Sequence, residues 1–230
     1  MAKDKVTRKE LLKGTDEFMS IAGRVAVYLR GHSRQLQYAG LGVLVLLVLY
    51  LAINTFLGYV NKKGQKAYNS AYYTLMEDKG DQGPDYLKAS ALFETAEKDY
   101  KYAKVSALIP AQLAYAKYRE KEFDQAIRLY EAYLEGLPEQ SPYRSLTKLA
   151  LAACHEEKGD AQGAITFYET VAVSPDAHLR DMALFGLARV YRLSGQPQKA
   201  EEVLRQFIEE YKQSPYLPLA EALLHDLSSI

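Results

Sequence analysis

Hydrophobic and polar positions divide this chain into three stretches. From Tyr38 to Val60 the sequence YAGLGVLVLLVLYLAINTFLGYV runs for twenty-three residues without a charge. Residues 1–37 before it are mixed and polar, and residues 61–230 after it show the spacing of amphipathic helices. A hydrocarbon core of about 30 Å takes about 20 apolar residues in helical form, so 38–60 predicts a transmembrane helix with room for tilt. A buried core helix of that length would show a polar face, and here only Asn54 and Thr55, near the end, are clearly polar. Tyr38 and Tyr59 place aromatic rings at the two ends, where an interfacial tyrosine is favoured. A cleavable signal would have a shorter apolar core and a small-x-small site. Instead thirty-seven residues precede the run, and Asn61-Lys62-Lys63-Gly64-Gln65-Lys66 follows it. The pattern predicts a retained anchor.

After Gly64 the chain reads as almost wholly helical. Ala, Leu, Glu, Lys, Gln and Tyr dominate, with no sustained alternation and no Asn-Gly hairpin. Punctuation falls at Gly83-Pro84, Leu137-Pro138, Ser141-Pro142, Gly159-Asp160, Ser174-Pro175, Gly195-Gln196-Pro197 and Ser214-Pro215. A serine oxygen caps free amides, and proline in the first turn lacks the amide that would go unpaired. The segments between these marks look like helix pairs, and they repeat. Residues 113–138, 151–175 and 187–215 align on Leu113-Ala114, Leu151-Ala152 and Leu187-Ala188. Twelve residues after each alanine come Ala126, Ala164 and Ala200; four further on come Tyr130, Tyr168 and Leu204. Small residues let two antiparallel helices approach, and the large ones fill the space beside them. Gly159 and Gly195 mark the turns, where the first block has Lys121. A weaker copy precedes these, with Ala89, Phe93 and Ala96 in matching places.

Spacings of thirty-eight and thirty-six residues, with this alternation of small and large, resemble the tetratricopeptide repeat over about residues 70–215. The spacings exceed that family's usual length, Tyr133 and Phe207 stand where a small residue is usual, and the tryptophan position is unfilled. The resemblance implies an all-α solenoid of helix pairs. A short tail, one span and divergent repeats together resemble the ancillary Sec-translocon subunit family of bacterial inner-membrane proteins. That second resemblance implies a cytoplasmic N-terminus and a periplasmic repeat domain. The expected organisation is a basic tail (1–37), an anchor (38–60) and a repeat domain (61–230). In the last segment Leu219, Leu223, Leu227 and Ile230 recur at helical spacing, which predicts a helix capping the open end of the solenoid.

Charge adds direction. The tail carries eight Lys/Arg against four Asp/Glu, leaving +4, while residues 61–230 carry twenty-one against twenty-five, leaving −4. Arg24, Arg30 and Arg34 flank one side of the run and Lys62, Lys63 and Lys66 the other, so the positive-inside rule tips only modestly toward an N-inside topology. Ahead of the run, Phe18, Ile21, Val25, Tyr28 and Leu29 share one helical face. They fit either an interfacial helix on the inner leaflet or a short soluble helix or disordered tail. A mildly acidic repeat domain lacks the basic stripe of a nucleic-acid binder.

Chemistry is sparse. The single cysteine, Cys154, lies among alanines and leucines and reads as a small buried hydrophobe. None of His32, His155, His178 and His225 has a second ligand at metal-binding spacing, and no nucleophile elbow or phosphate loop is present. Neither an enzyme, a metal, a cofactor nor a small-molecule substrate is expected. The repeats offer a groove instead. Its outward positions are Leu108, Ala111, Tyr115, Tyr118 and Arg119, then Leu146, Leu149, Ala153 and Glu156, then Met182, Phe185, Arg189 and Arg192. Aromatic and arginine side chains are enriched at binding hot spots. Tyr115, Tyr118, Arg119, Phe185, Arg189 and Arg192 are therefore the candidate contacts for a peptide or helix of a protein partner. The expected function is a membrane-anchored scaffold near the Sec translocon or periplasmic chaperones. The alternative is a self-associating organiser of an envelope or cell-division complex.

Overall fold

The computed structural model describes residues 23–77, 83–174 and 179–228. Phe18, Ile21, Pro175, His178 and Ile230 lie outside these. The chain divides into two compact units, with the boundary between Gly58 and Tyr59. In the first unit residues 23–31 are helical, and Val25, Tyr28 and Leu29 are exposed. Among the described residues one helix, α1 (Ser33–Met76), is long and apolar enough to cross a membrane. Its apolar window buries nothing against the rest of the protein.

The helix does not stop with the apolar run at Val60. It continues to Met76, and its last turns bury Gly64, Ala71 and Leu75. In the second unit Ala71 and Leu75 pack against Ala89, Phe93 and Ala96 of α2 (Tyr86–Asp99). The weak first copy seen in the sequence is therefore the second half of a pair whose first half is the end of α1. A 3₁₀ turn (Lys104–Leu108) leads to α3 (Ile109–Arg119) and α4 (Phe123–Gly136). Then follow α5 (Tyr143–Lys158) with α6 (Ala161–Ala172), α7 (Arg180–Leu193) with α8 (Pro197–Glu210), and a last helix, α9 (Leu217–Ser228). From α2 onward each helix packs on the next. No strand occurs among the described residues, so the fold is an all-α solenoid.

The repeat positions carry the packing. Ala114, Ala126, Ala152, Ala164, Ala188 and Ala200 are all inaccessible to solvent. Phe93, Tyr130, Tyr168 and Leu204 are buried beside them, and burying a side chain of this size contributes about 2 kcal/mol. Gly186 shows how close the helices come: a Cβ there would meet the Tyr168 ring at 2.5 Å. The turns between paired helices need a left-handed residue, and Gly159 (φ 85°) and Gly195 (φ 75°) provide it. Lys121 takes the same place with φ 65°, at the steric cost that glycine avoids.

Side chains satisfy several of the helix termini. Asp85 and Asp160 stand four residues before Ala89 and Ala164, and each accepts a hydrogen bond from a first-turn amide, Lys88 and Gly163, at 3.0 Å. Arg144 donates to the carbonyls of Leu134 (3.0 Å) and Leu137 (2.9 Å) at the end of α4. Arg180, thirty-six residues later, donates to the Ser174 carbonyl at 2.6 Å beyond the end of α6. In both cases an arginine of one repeat closes the C-terminus of the repeat before it.

The last helix does cover the end of the solenoid. Ala220 is buried in one cluster with Leu184, Ala188, Leu204 and Phe207, and Leu217, Leu223, Leu224 and Leu227 pack on it. One position departs from expectation: Leu219 is exposed. The buried stripe runs through 217, 220, 223–224 and 227 rather than at strict four-residue steps, because 3.6 residues per turn rotates the face away. Phe207, the oversized residue noted in the sequence, is packed from outside by Phe185 and Tyr211.

Candidate functional site

The first helices of the pairs present their outward positions to one cleft of about 490 Å³. Three matched positions define it. Leu108, Leu146 and Met182 stand at one repeat position, thirty-eight and thirty-six residues apart, and all three line the cleft. Ala111 and Leu149 stand at the next, and Tyr115 at the third. The remaining wall comes from Met76 at the end of α1, Gln112 of α3, Tyr130 and Tyr133 of α4, and Tyr143, Thr147 and Ala150 on α5. No lining residue is charged. Polar groups are few, and one is already used, since the buried Thr147 hydroxyl donates to the Tyr143 carbonyl at 2.7 Å. Burial raises the Tyr130 phenol well above its ordinary value; it stays a neutral hydroxyl at every physiological pH. The cleft suits an apolar or aromatic side-chain row rather than a carboxylate.

Of the six candidate contacts, Tyr115 alone lines this cleft. Arg119 donates from Nη1 to the Tyr115 hydroxyl at 2.8 Å, and its guanidinium lies 4.5 Å from the centre of the Tyr86 ring. It holds Tyr115 in place from outside the cleft. Tyr118 packs among buried residues of its own repeat and of α5, and against Phe123, 5.9 Å between ring centres. Burial, followed by nearby Glu157, raises its pKa. Phe185 stacks on Tyr216 at 5.4 Å. It holds the repeat position of Ala111 and Leu149, but here the approach to the last helix covers it. Arg192 is exposed and lies outside the cleft.

Arg189 is engaged inside the fold. Its Nε and Nη2 donate to Glu156 Oε1 (2.5 Å) and Oε2 (2.7 Å), a bidentate pair joining α7 to α5. The Tyr168 hydroxyl donates to Glu156 Oε2 at 2.9 Å, which brings in α6. The bond to Glu156 holds the guanidinium far above its ordinary range, and burial does the same for the Tyr168 phenol. Three helices are thus tied through one carboxylate. Nearby, His155 shares a 2.7 Å contact between Nδ1 and Asp160 Oδ2 and stacks on Phe167. Among the described residues no group of three His, Cys, Asp or Glu could hold a metal ion. Cys154 is buried, and burial pushes its thiol up to about 12.

Sequence reasoning did not reach Met76, Tyr130, Tyr133 and Tyr143. Tyr133 carried a signal, as an outsize residue at a position that is usually small, and in the structure its ring helps wall the cleft. Met76 carried none, because the apolar run by itself predicts a helix that ends at the membrane.

A family model described as the protein kinase G tetratricopeptide repeat matches residues 111–214, from α3 to just beyond the end of α8. The TPR-like repeats of a putative kinesin light chain from Podosopora anserina superpose with a TM-score of 0.56 at 20% identity, over 72% of this chain and 85% of that one. The repeat domain has the tetratricopeptide-repeat fold. A single-substitution variant of the same kinesin light chain repeats agrees, with a TM-score of 0.56 and 20% identity over 72% of this chain and 84% of that one. No curated protein matches the chain.

Proposed function

We propose that this chain is a single-span membrane scaffold whose tetratricopeptide cleft holds a helix or extended segment of a protein partner through apolar and aromatic side chains. The observation that carries the reading is the uncharged cleft formed by Leu108, Tyr115, Tyr143, Leu146 and Met182. Bulky aromatic and aliphatic walls desolvate a matching side-chain row, and one tether raises effective concentration beside other membrane proteins. In this reading residues 38–60 cross the inner membrane of a bacterium, the basic tail is cytoplasmic and the repeats are periplasmic. The partner is then a component near the Sec translocon or a periplasmic chaperone. The chain has no catalytic role in it.

Photo-crosslinking from position 146 in intact membranes, with Arg192 as the control position outside the cleft, tests the claim. A discrete partner captured from 146, absent from 192 and lost on Tyr115→Ala, supports it. Equal yields of abundant proteins from both positions would refute it. Reporter fusions at each terminus test the topology separately, and a cytoplasmic repeat domain would remove the periplasmic reading.

A further inference from the structure

The second unit begins with a basic, aromatic stretch. Between Tyr59 and Met76 there are three lysines, Lys62, Lys63 and Lys66, and no Asp or Glu. These lysines weaken the charge rule for topology, and they are all exposed. The loop that follows α2 is fastened to this same stretch. Asn61 Oδ1 accepts the Lys104 backbone N–H at 2.8 Å. Gly64 is buried against the loop: a Cβ there would meet Ala103 Cβ at 2.5 Å and Tyr100 Cβ at 3.1 Å. Ala103 points inward and is buried, which leaves Lys101, Tyr102 and Lys104 exposed. Lys101 Nζ lies 4.9 Å from the centre of the Tyr102 ring, and Lys63 Nζ lies 5.7 Å from that of Tyr59. Residues 59–66 and 100–104, some forty residues apart in sequence, thus share five exposed lysines and two exposed tyrosines, Tyr59 and Tyr102, beside positions that directly follow the apolar run. The acidic neighbours are Glu97 and Asp99, at the end of α2.

We propose that this lysine–tyrosine collar binds the anionic headgroups of phospholipids, so that the Tyr100–Lys104 loop is a second membrane contact in addition to the span. The inference rests on the membrane-spanning reading above. A long lysine stem lets the ammonium reach phosphate while its methylenes stay in the interface. Tyrosine is suited to the same zone, with an apolar ring and a polar tip. Clustered lysines next to a span recognise negative lipid surface, and salt weakens the attraction.

The chain has no tryptophan, so Tyr102→Trp creates a single fluorescent reporter on the loop and Tyr50→Trp one in the run. Each full-length variant is reconstituted in phosphatidylcholine vesicles, with and without phosphatidylglycerol, containing lipid brominated high on the acyl chain. The expected result is that Tyr50→Trp is quenched in both vesicles. Tyr102→Trp should be quenched several-fold more in the anionic ones, and the excess should vanish in high salt or when the five lysines are changed to Gln. The salt arm stands even if the five-fold variant misfolds. Tyr102→Trp unquenched while Tyr50→Trp is quenched would overturn the collar and leave the span. Equal quenching of Tyr102→Trp in both vesicles would overturn the headgroup recognition. Neither reporter quenched would overturn the span and the collar together.

Discussion

Two neighbouring parts of the first-helix face are built on the same repeat positions and behave oppositely. Tyr115 and Arg189 are equivalent, two repeats apart, and so are Tyr118 and Glu156, one repeat apart. Between α3 and α5 the equivalent pair is Tyr118 on α3 and Ala153 on α5, both uncharged, and a cleft of about 490 Å³ is open on that face. Between α5 and α7 the pair carries opposite charges, and Arg189 crosses to Glu156 with Tyr168 beneath. The repeat supplies the helix spacing in both places. Whether the surface between repeats is open for a partner or welded shut depends on whether the outward residues complement one another.

The largest expected effect comes from breaking the weld. Glu156→Ala removes a carboxylate whose side chain is 12% exposed and leaves Arg189, 40% exposed, and the Tyr168 hydroxyl without their acceptor. The expected loss is about 2–3 kcal/mol, below the full cost of breaking a buried pair because water reaches Arg189. Urea unfolding of the full chain in detergent, followed by helical circular dichroism, measures it. Glu156→Ala with Arg189→Ala should cost clearly less than the sum of the single changes. If the costs simply add, the pair is not a coupled unit.

Gly186→Ala attacks the same region through space, since the new methyl would overlap the Tyr168 ring. Overpacking of this kind costs about 1–3 kcal/mol. The same change combined with Tyr168→Leu should recover most of the loss, and failure to recover it would place the strain elsewhere.

Alkaline pH separates the two regions less sharply. Burial raises the phenols of Tyr130, in the cleft wall, and Tyr168, in the weld. A raised folded pKa means the stabilisation is whole below the unfolded tyrosine value of about 10 and is lost as pH rises above it, at about 1.4 kcal/mol per pH unit per group. Unfolding midpoints should therefore fall above pH 10, and Tyr168→Phe should flatten the decline.

Smaller still is the turn. Lys121 holds the left-handed geometry that Gly159 and Gly195 hold in the following repeats, so Lys121→Gly should stabilise by about 0.5–1 kcal/mol. A loss of stability would show that the lysine side chain compensates for its backbone. Least visible in stability is Leu146→Glu. That side chain is 52% exposed, so the change should move unfolding by no more than about 0.5 kcal/mol while abolishing partner capture in the cleft.

The helix pairs were legible because packing two helices is a local, periodic demand. Ala126, Ala164 and Ala200 recur at the points of closest approach, and every one is inaccessible to solvent. The matched positions Leu108, Leu146 and Met182 were legible for the same reason. What the alignment could not show is which outward residues find one another. Arg119 and Arg189 are both arginines on the same face, yet one steadies a tyrosine beside the cleft and the other is spent on a carboxylate of the preceding repeat. Arg144 and Arg180 repeated at thirty-six residues in plain sight, but their task is closing a helix end on the neighbouring repeat. That task becomes apparent only when the next helix start is placed beside that end.

The sequence by itself determined the apolar run at 38–60, the helical class, the alternation of small and large residues and the presence of a closing helix, because each follows from composition and period along one element. Only the tertiary structure decided that α1 continues past the run to become half of the first helix pair, and that Tyr130, Tyr133 and Met76 share a wall with Leu146. It also decided that Lys104 is fastened to Asn61. These are contacts between residues far apart in the chain, and their partners are chosen by the distance and angle at which whole helices pack, quantities that no single segment encodes.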